Sequence, residues 1–308
     1  MTESIDALQL NLGDGGLMVM NVSLAVIMFG VALELTIKDF RDIAKNPKST
    51  LLGSFSQFLL LPFLTFVLVW LMQPAPSIAL GMFMVAACPG GNISNFFSLL
   101  AKGNAALSVS MTAIATLLAI VMTPLNFTFW ASLYSPTNAI LQEISLDLGK
   151  VFEIIVLILG IPLVLGMVVR HFKSNVAEKI SPWIKGFGVI FFAGFVIVAF
   201  WTNFDNFIEY VQFVLLLVFI HNAVALTSGY GLAKAFNLPE ADRRSISIET
   251  GIQNSGLGLL LIFNFFDGLG GMALITAWWG IWHILAGMSL GWYWSVGKKS
   301  IQRVITNA

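Results

Sequence analysis

Nine apolar runs, each long enough to cross the hydrocarbon core of a bilayer, follow one another along the 308-residue chain at about residues 16–36, 50–73, 77–101, 105–134, 148–170, 183–203, 207–233, 245–266 and 271–296. A spanning helix takes about 20 mostly apolar residues. In lipid only helices and closed barrels satisfy every backbone N–H and C=O. Runs of this length read as helices, so the expected fold class is an all-α polytopic membrane protein with nine transmembrane helices. Charged residues are 10% of the chain, against about 25% in a soluble domain. Little chain remains outside the spans, and the function must sit inside the membrane.

The connectors between spans fix an orientation. Assigning alternate connectors to one side collects fifteen of the sixteen Lys and Arg residues there and leaves only Lys150 on the other. Positive connectors stay cytoplasmic, which puts the N-terminus outside and the C-terminus inside. The acidic residues Glu143, Asp147, Asp205 and Glu209 then lie on the external side, in agreement. The first sixteen residues carry Glu3, Asp6 and Asp14 and no Lys or Arg, the reverse of a signal peptide's n-region. Residues 1–15 are therefore expected to be a retained external segment, and 297–308 a cytoplasmic tail. A net charge of zero with scattered basic residues excludes nucleic acid as a partner. The single cysteine, Cys88, excludes an intrachain disulfide and any multi-cysteine metal site.

Two spans are interrupted in a matching way. The third contains Cys88-Pro89-Gly90-Gly91-Asn92-Ile93-Ser94-Asn95, where a proline without an N–H and two glycines weaken the helix. The eighth contains Glu249-Thr250-Gly251-Ile252-Gln253-Asn254-Ser255-Gly256, and its backbone is expected to unwind across this stretch. The third and eighth spans enter the membrane from opposite sides. Interrupted helices at corresponding positions of two inverted halves point to a secondary transporter with its site at the midplane. Pairing them also pairs the first with the sixth, the second with the seventh and the fourth with the ninth. The fifth is left without an equivalent, so the expected architecture is an inverted repeat lacking one helix.

Glu249 lies at membrane depth, where an ionisable residue costs at least a few kcal/mol unless it is paired or hydrated. No Lys or Arg falls near mid-depth of any span, so a bound cation is the better partner. Gln253, one turn on, adds an oxygen to the same face. Asn104, Ser108 and Thr112 recur at i, i+4, i+8 on the fourth span, and Ser94 and Asn95 follow the break in the third. Neutral oxygens, freed carbonyls and one carboxylate suit an alkali cation rather than zinc, and sodium is the natural candidate. Ser, Thr and Asn also serve as packing groups between membrane helices. Glu34 reads as an interfacial pair with Lys38 and Glu153 as an outer-end residue. His221 and His283 are too isolated for a metal cluster and read as hydrogen-bonded packing ahead of a substrate contact, and Phe and Trp are lipid-facing by default.

Three blocks resemble the bile acid:sodium symporter family, in its bacterial, nine-span form. They are Pro89-Gly90-Gly91-x-x-Ser94-Asn95, then Gly103-Asn104-x-Ala106-Leu107-Ser108 with Thr112, and Glu249-x-Gly251-x-Gln253-Asn254-Ser255-Gly256-Leu257. Gln57 and Trp282-His283 also match, and the resemblance runs from about residue 26 to 297. It implies a core domain (residues 50–134 and 207–296) in which the two broken helices cross. A panel domain (16–36 and 148–203) would complete the fold, incomplete by one helix. It implies two sodium sites. One would comprise Ser94, Asn95, Ser108, Thr112 and Glu249. The other would comprise Gln57, Glu249, Gln253 and the carbonyls of Thr250 and Ile252. Asn92 and Ile284 depart from the family's usual residues near the expected substrate cavity.

The expected activity is sodium-coupled import of a small organic anion (bile-acid-like, steroid-conjugate or small carboxylate) by alternating access. Asn92, Asn254, Ser255 and His283 are the substrate-side candidates. The half-helices starting near Asn92 and Asn254 offer free N–H groups and partial positive charge to an anion. Besides substrate and ions, the expected partner is membrane lipid, in a bacterial inner (plasma) membrane. The rival readings are a differently coupled or uncoupled permease of the same architecture and, more remotely, an intramembrane enzyme. No span holds an aspartate pair or a histidine beside a candidate serine, so the chain is not expected to be an enzyme.

Overall fold

The computed structural model describes residues 2–10, 15–36, 39, 41, 47–144, 147–202 and 204–306. Among them all regular structure is helical, with isolated β-bridges but no strand. A short α1 (Thr2–Ala7) precedes α2 (Gly16–Ala32). The helix α3 is made of Pro47–Phe55, a π-helical turn Ser56–Leu60 and Leu61–Met72. There follow α4 (Pro76–Ala87), α5 (Ile93–Leu100), α6 (Ala105–Leu133) and α7 (Ser135–Ile144). The next, α8, is made of Leu148–Ile155, a second π-helical turn Val156–Gly160 and Ile161–Phe172. The last five are α9 (Ser174–Thr202), α10 (Phe204–Ala235), α11 (Glu240–Gly251), α12 (Ser255–Phe265) and α13 (Gly270–Thr306). Five described stretches are long and apolar enough to cross a membrane: Pro47–Met72, Ala105–Leu133, Gly149–Phe172, Val214–Ala235 and Gly270–Val296. Large apolar side chains such as Trp70, Phe129 and Trp183 stand exposed on outer helix faces, a surface suited to lipid. Trp279, Phe83 and Phe97 depart from the lipid-facing expectation and are fully buried, Trp279 with its ring edge-on to His221.

Both π-helical turns have the same local cause. Each precedes a proline, Pro62 or Pro162, whose ring excludes the carbonyl four residues back and whose nitrogen cannot donate to it. In α3 the carbonyl so released, that of Phe58, accepts from Asn126 Nδ2 of α6 at 2.9 Å. The widened turn carries Gln57.

The third span breaks as expected, between α4 and α5, with Cys88 extended at the exit. The eighth breaks over a shorter stretch than expected: α11 continues helical through Gly251, and only Ile252–Asn254 leave the helix. Ile252 N still donates to Ile248 O at 2.8 Å, which keeps Glu249 in an intact last turn. The two breaks lie antiparallel against each other. Gly90 pairs with Gln253 in a bridge, Gly91 N donates to Ile252 O at 2.7 Å and Asn254 N donates to Pro89 O at 2.9 Å. Backbone groups released from each helix are thereby satisfied by the other break, as burial away from water requires.

α2 packs against α8 and α9, while α4 packs on α13, α10 on α11, and α11 on α5 and α6. Between the two groups, α2 also meets α12, where Asn21 and Asn264 exchange amide hydrogen bonds at 3.2 and 2.9 Å. The expected N-terminal segment is tied down. Asp6 accepts from Ser77 N at the start of α4 (2.7 Å), and Leu8 and Leu10 bond the turn between α12 and α13 through Gly270 N and Gly268 O. The helices α1 and α7 were not anticipated, and α13 runs on through the expected tail to Thr306.

Candidate functional site

The last turn of α11 places Glu249 on the face toward α3, α5 and α6. Its side chain is 0% exposed. Ser94 Oγ of α5 and Ser108 Oγ of α6 each donate to Oε1 at 2.5 Å. Thr112 Oγ1 lies 3.2 and 3.3 Å from the two carboxylate oxygens. Gln57 Nε2 donates to the Glu249 carbonyl at 2.9 Å and reaches Oε2 at 3.4 Å. Asn95 joins one step removed, its Oδ1 lying 2.8 Å from Ser108 Oγ and 3.2 Å from Thr112 Oγ1. Among the described residues no Lys or Arg pairs with the Glu249 carboxylate.

The cluster has fewer protons than acceptor oxygens. The single hydroxyl proton of Ser108 faces both Asn95 Oδ1 and Glu249 Oε1, and that of Thr112 faces these oxygens and the Ser108 carbonyl as well. A hydroxyl donates once, so acceptor oxygens outnumber the available protons. A buried carboxylate surrounded by surplus oxygen lone pairs is the donor chemistry of a hard cation. Gly90 makes the close approach possible: a Cβ there would lie 2.7 Å from Gln57 Nε2 and 2.9 Å from Glu249 Oε2. Only glycine lets backbone pass this near without displacing the side chains.

Just beyond Glu249, Gln253 Nε2 donates to Thr250 O at 2.7 Å, while its fully buried Oε1 has no hydrogen-bond partner among the described residues. Thr250 Oγ1 meets Ser56 Oγ at 2.8 Å, and Ile252 O takes the Gly91 amide. Asn92 precedes α5 without a side-chain capping bond, whereas Asn254 caps α12 by accepting from Leu257 N at 3.1 Å. Ser255 opens α12 against Gly280 of α13. His283 is buried on α13 with Nδ1 unpartnered among the described residues, and none of the bonds around Glu249 reaches it.

The chain is similar to known proteins over most of its length. Residues 21–210, more than half of the chain, fit the model of the Sodium Bile acid symporter family. The chain belongs to that family. It is 32% identical over 284 residues to YocS of Bacillus subtilis (strain 168), named an uncharacterized sodium-dependent transporter, covering 91% of this chain and 84% of that one. It is 31% identical over 277 residues to the probable sodium/metabolite cotransporter BASS2, chloroplastic, of Oryza sativa subsp. japonica, covering 83% of this chain and 63% of the relative. With the sodium/bile acid cotransporter 4 of Homo sapiens the identity is 32% over 235 residues, 75% of this chain and 52% of the human protein. The chain thus spans about half the length of the human relative. These relatives are named transporters or cotransporters and not enzymes, and the chain is an integral membrane protein of this sodium-dependent transporter family.

Within this family member the structure separates residues that spacing had grouped. Ser108 and Thr112 meet Glu249, but Asn104 caps α6 through Leu107 N and donates to Asp242 at 2.8 Å. Asp242 also accepts from Ser49 at 2.6 Å, so it staples α3, α6 and α11 together. His221 is buried, with Nε2 2.7 Å from Thr65 Oγ1. Glu34 accepts from Ser181 at 3.1 Å, and its expected partner Lys38 lies outside the described residues. Sequence reasoning missed Ser56, Asp242 and Asn222, whose Nδ2 donates to Gly251 O at 2.7 Å. The one signal for Asn222 was a second polar residue beside His221 in an apolar run.

Proposed function

We propose that this protein is a sodium-coupled symporter that imports a small organic anion across a bacterial inner membrane by alternating access. Two sodium ions are cargo. The first is held by Ser94, Asn95, Ser108, Thr112 and Glu249. The second is held by Gln57, Glu249, Gln253 and the carbonyls of Thr250 and Ile252. The observation that carries this reading is the buried Glu249 carboxylate, met by three hydroxyls and an amide from three other helices and by no basic residue among those described. A charge so placed is costly unless a cation joins it. The unpartnered Gln253 Oε1 supplies a further ligand at the second site.

In this reading nine spans cross the membrane, with the N-terminus outside and the C-terminus in the cytoplasm. The spans form an inverted repeat that lacks one helix. α3–α6 and α10–α13 make a core domain, and α2, α8 and α9 a panel. The mutual packing of α2, α8 and α9 supports that division. The anion binds at the starts of α5 and α12, at Asn92, Asn254 and Ser255 with His283 nearby, where helix N-termini and bound sodium supply positive potential.

A binding screen of organic anions by thermal shift, run in sodium and in potassium at equal ionic strength, tests the reading, because a ligand stabilises the state it binds. The expected result is anion-dependent stabilisation in sodium that is absent in potassium. Equal stabilisation in both salts would assign the fold to a permease not coupled to sodium.

A further inference from the structure

A helix leaves its last four carbonyls without intrahelical partners, and α11 ends among buried residues, where each needs a substitute. Three successive carbonyls are taken by side-chain amides: Glu249 O by Gln57 Nε2 at 2.9 Å, Thr250 O by Gln253 Nε2 at 2.7 Å, and Gly251 O by Asn222 Nδ2 at 2.7 Å. The next carbonyl, that of Ile252, is taken by Gly91 N. Gln57 and Gln253 belong to the second sodium site proposed above. Asn222 performs the same chemistry from α10, is 1% exposed, and has no part in either ion site.

The peptide that carries the Gly251 carbonyl is held at its other end by Ile252 N, which donates to Ile248 O at 2.8 Å, and Asn222 holds the carbonyl end. Gly251 is the last helical residue, has no side chain to anchor it, and can rotate its peptide plane more freely than any other residue type. A rotated Gly251 peptide would change the direction of the chain into Ile252 and move the Ile252 carbonyl and the Gln253 side chain together. We propose that Asn222 is a positioning residue for the second sodium. By fixing the Gly251 carbonyl, it aims the Ile252 carbonyl and the otherwise unpartnered Gln253 Oε1 at a common point. The first sodium site draws on α5, α6 and the Glu249 carboxylate of α11, none of which Asn222 bonds. This inference rests on the two-sodium reading, and its signature is loss of one ion rather than both.

The test is a sodium titration of thermal stability, with potassium making up the ionic strength, on the parent protein, Asn222→Leu and Asn222→Gln. In the parent the Hill coefficient should approach about two. In Asn222→Leu the coefficient should fall to about one and the sodium midpoint rise by about tenfold or more, since a buried carbonyl loses its only side-chain donor. Asn222→Gln retains the donor and should recover a coefficient near that of the parent. A hydrogen bond that served packing alone would lower stability equally in both salts and leave midpoint and coefficient unchanged, and that result would overturn the proposal. If Asn222→Leu does not fold, Asn222→Ser, which is too short to reach the Gly251 carbonyl, gives the same readings. A parent protein without sodium-dependent stabilisation would overturn the two-sodium reading and this role with it, whereas a responsive parent with an identically responsive variant overturns the role alone.

Discussion

Replacing Glu249 by Gln removes a negative charge while conserving the shape of the side chain. Among the described residues the carboxylate is met by neutral donors, Ser94 and Ser108 at 2.5 Å and Thr112 and Gln57 at 3.2 to 3.4 Å. An uncompensated charge at this depth costs at least about 2.5–3.5 kcal/mol. In potassium, taken as the ion that the proposed sites exclude, Glu249→Gln should therefore be as stable as the parent or more so. In sodium the order should reverse. An ion at a hundred times its dissociation constant stabilises by about 2.7 kcal/mol per site. Both proposed sites share this carboxylate, so the parent would gain about 5 kcal/mol in saturating sodium and the variant almost none. The assay is thermal unfolding of the purified protein across a sodium series, with potassium replacing sodium, where this gain amounts to several degrees. Crossing curves are the expected result. A variant that keeps the parent's sodium-dependent shift would refute the shared-ligand reasoning, and one less stable than the parent in potassium would show that the buried charge is compensated by another group.

Further substitutions divide the site. Gln253→Ala should impair both sodium and substrate binding, whereas Asn254→Ala should impair substrate binding and transport more than sodium affinity, and paired titrations of the two variants compare these losses. Gly90→Ala places a methyl 2.7 Å from Gln57 Nε2 and 2.9 Å from Glu249 Oε2. Overpacking of about 1–3 kcal/mol should lower sodium affinity by about tenfold or more, read from the same titration. Asn21 and Asn264 join α2 to α12 by exchanged amide bonds. Bridging Asn21→Cys and Asn264→Cys with a short bis-thiosulfonate, which forms a mixed disulfide with each thiol and releases sulfinate, should stop uptake until a thiol reductant cleaves those disulfides, while either single variant treated alike continues to transport.

The two breaks were legible in the sequence because proline, paired glycines and a run of polar residues have no other use in the middle of an apolar span. The extent of the second break was not, because what keeps Glu249, Thr250 and Gly251 helical is the capping of their carbonyls by Gln57, Gln253 and Asn222, two of them from other helices. Ser108 and Thr112 followed from helical spacing, and both reach Glu249. Asn104 shares that spacing yet turns to Asp242, since it stands one residue before α6 begins, where a side-chain oxygen is drawn to the free N–H groups of the first turn. Asn222 and Ser56 carried no local signature, as their partners lie 29 and 194 residues away in the chain. The π-helical turn that carries Gln57 was readable only in retrospect from Pro62.

Whether sodium drives the anion inward is read from flux measured in proteoliposomes. With an identified monovalent anion, an inward sodium gradient and sodium flux followed alongside, two ions per anion carry one net positive charge into the vesicle. A potential of 100 mV, interior negative, then adds about 2.3 kcal/mol to the driving force of each cycle. Uptake should require sodium, stop in potassium, rise as the interior is made negative and be lost in Glu249→Gln. Uptake of equal rate in sodium and potassium, or sodium-driven uptake that persists in Glu249→Gln, would contradict sodium coupling through Glu249.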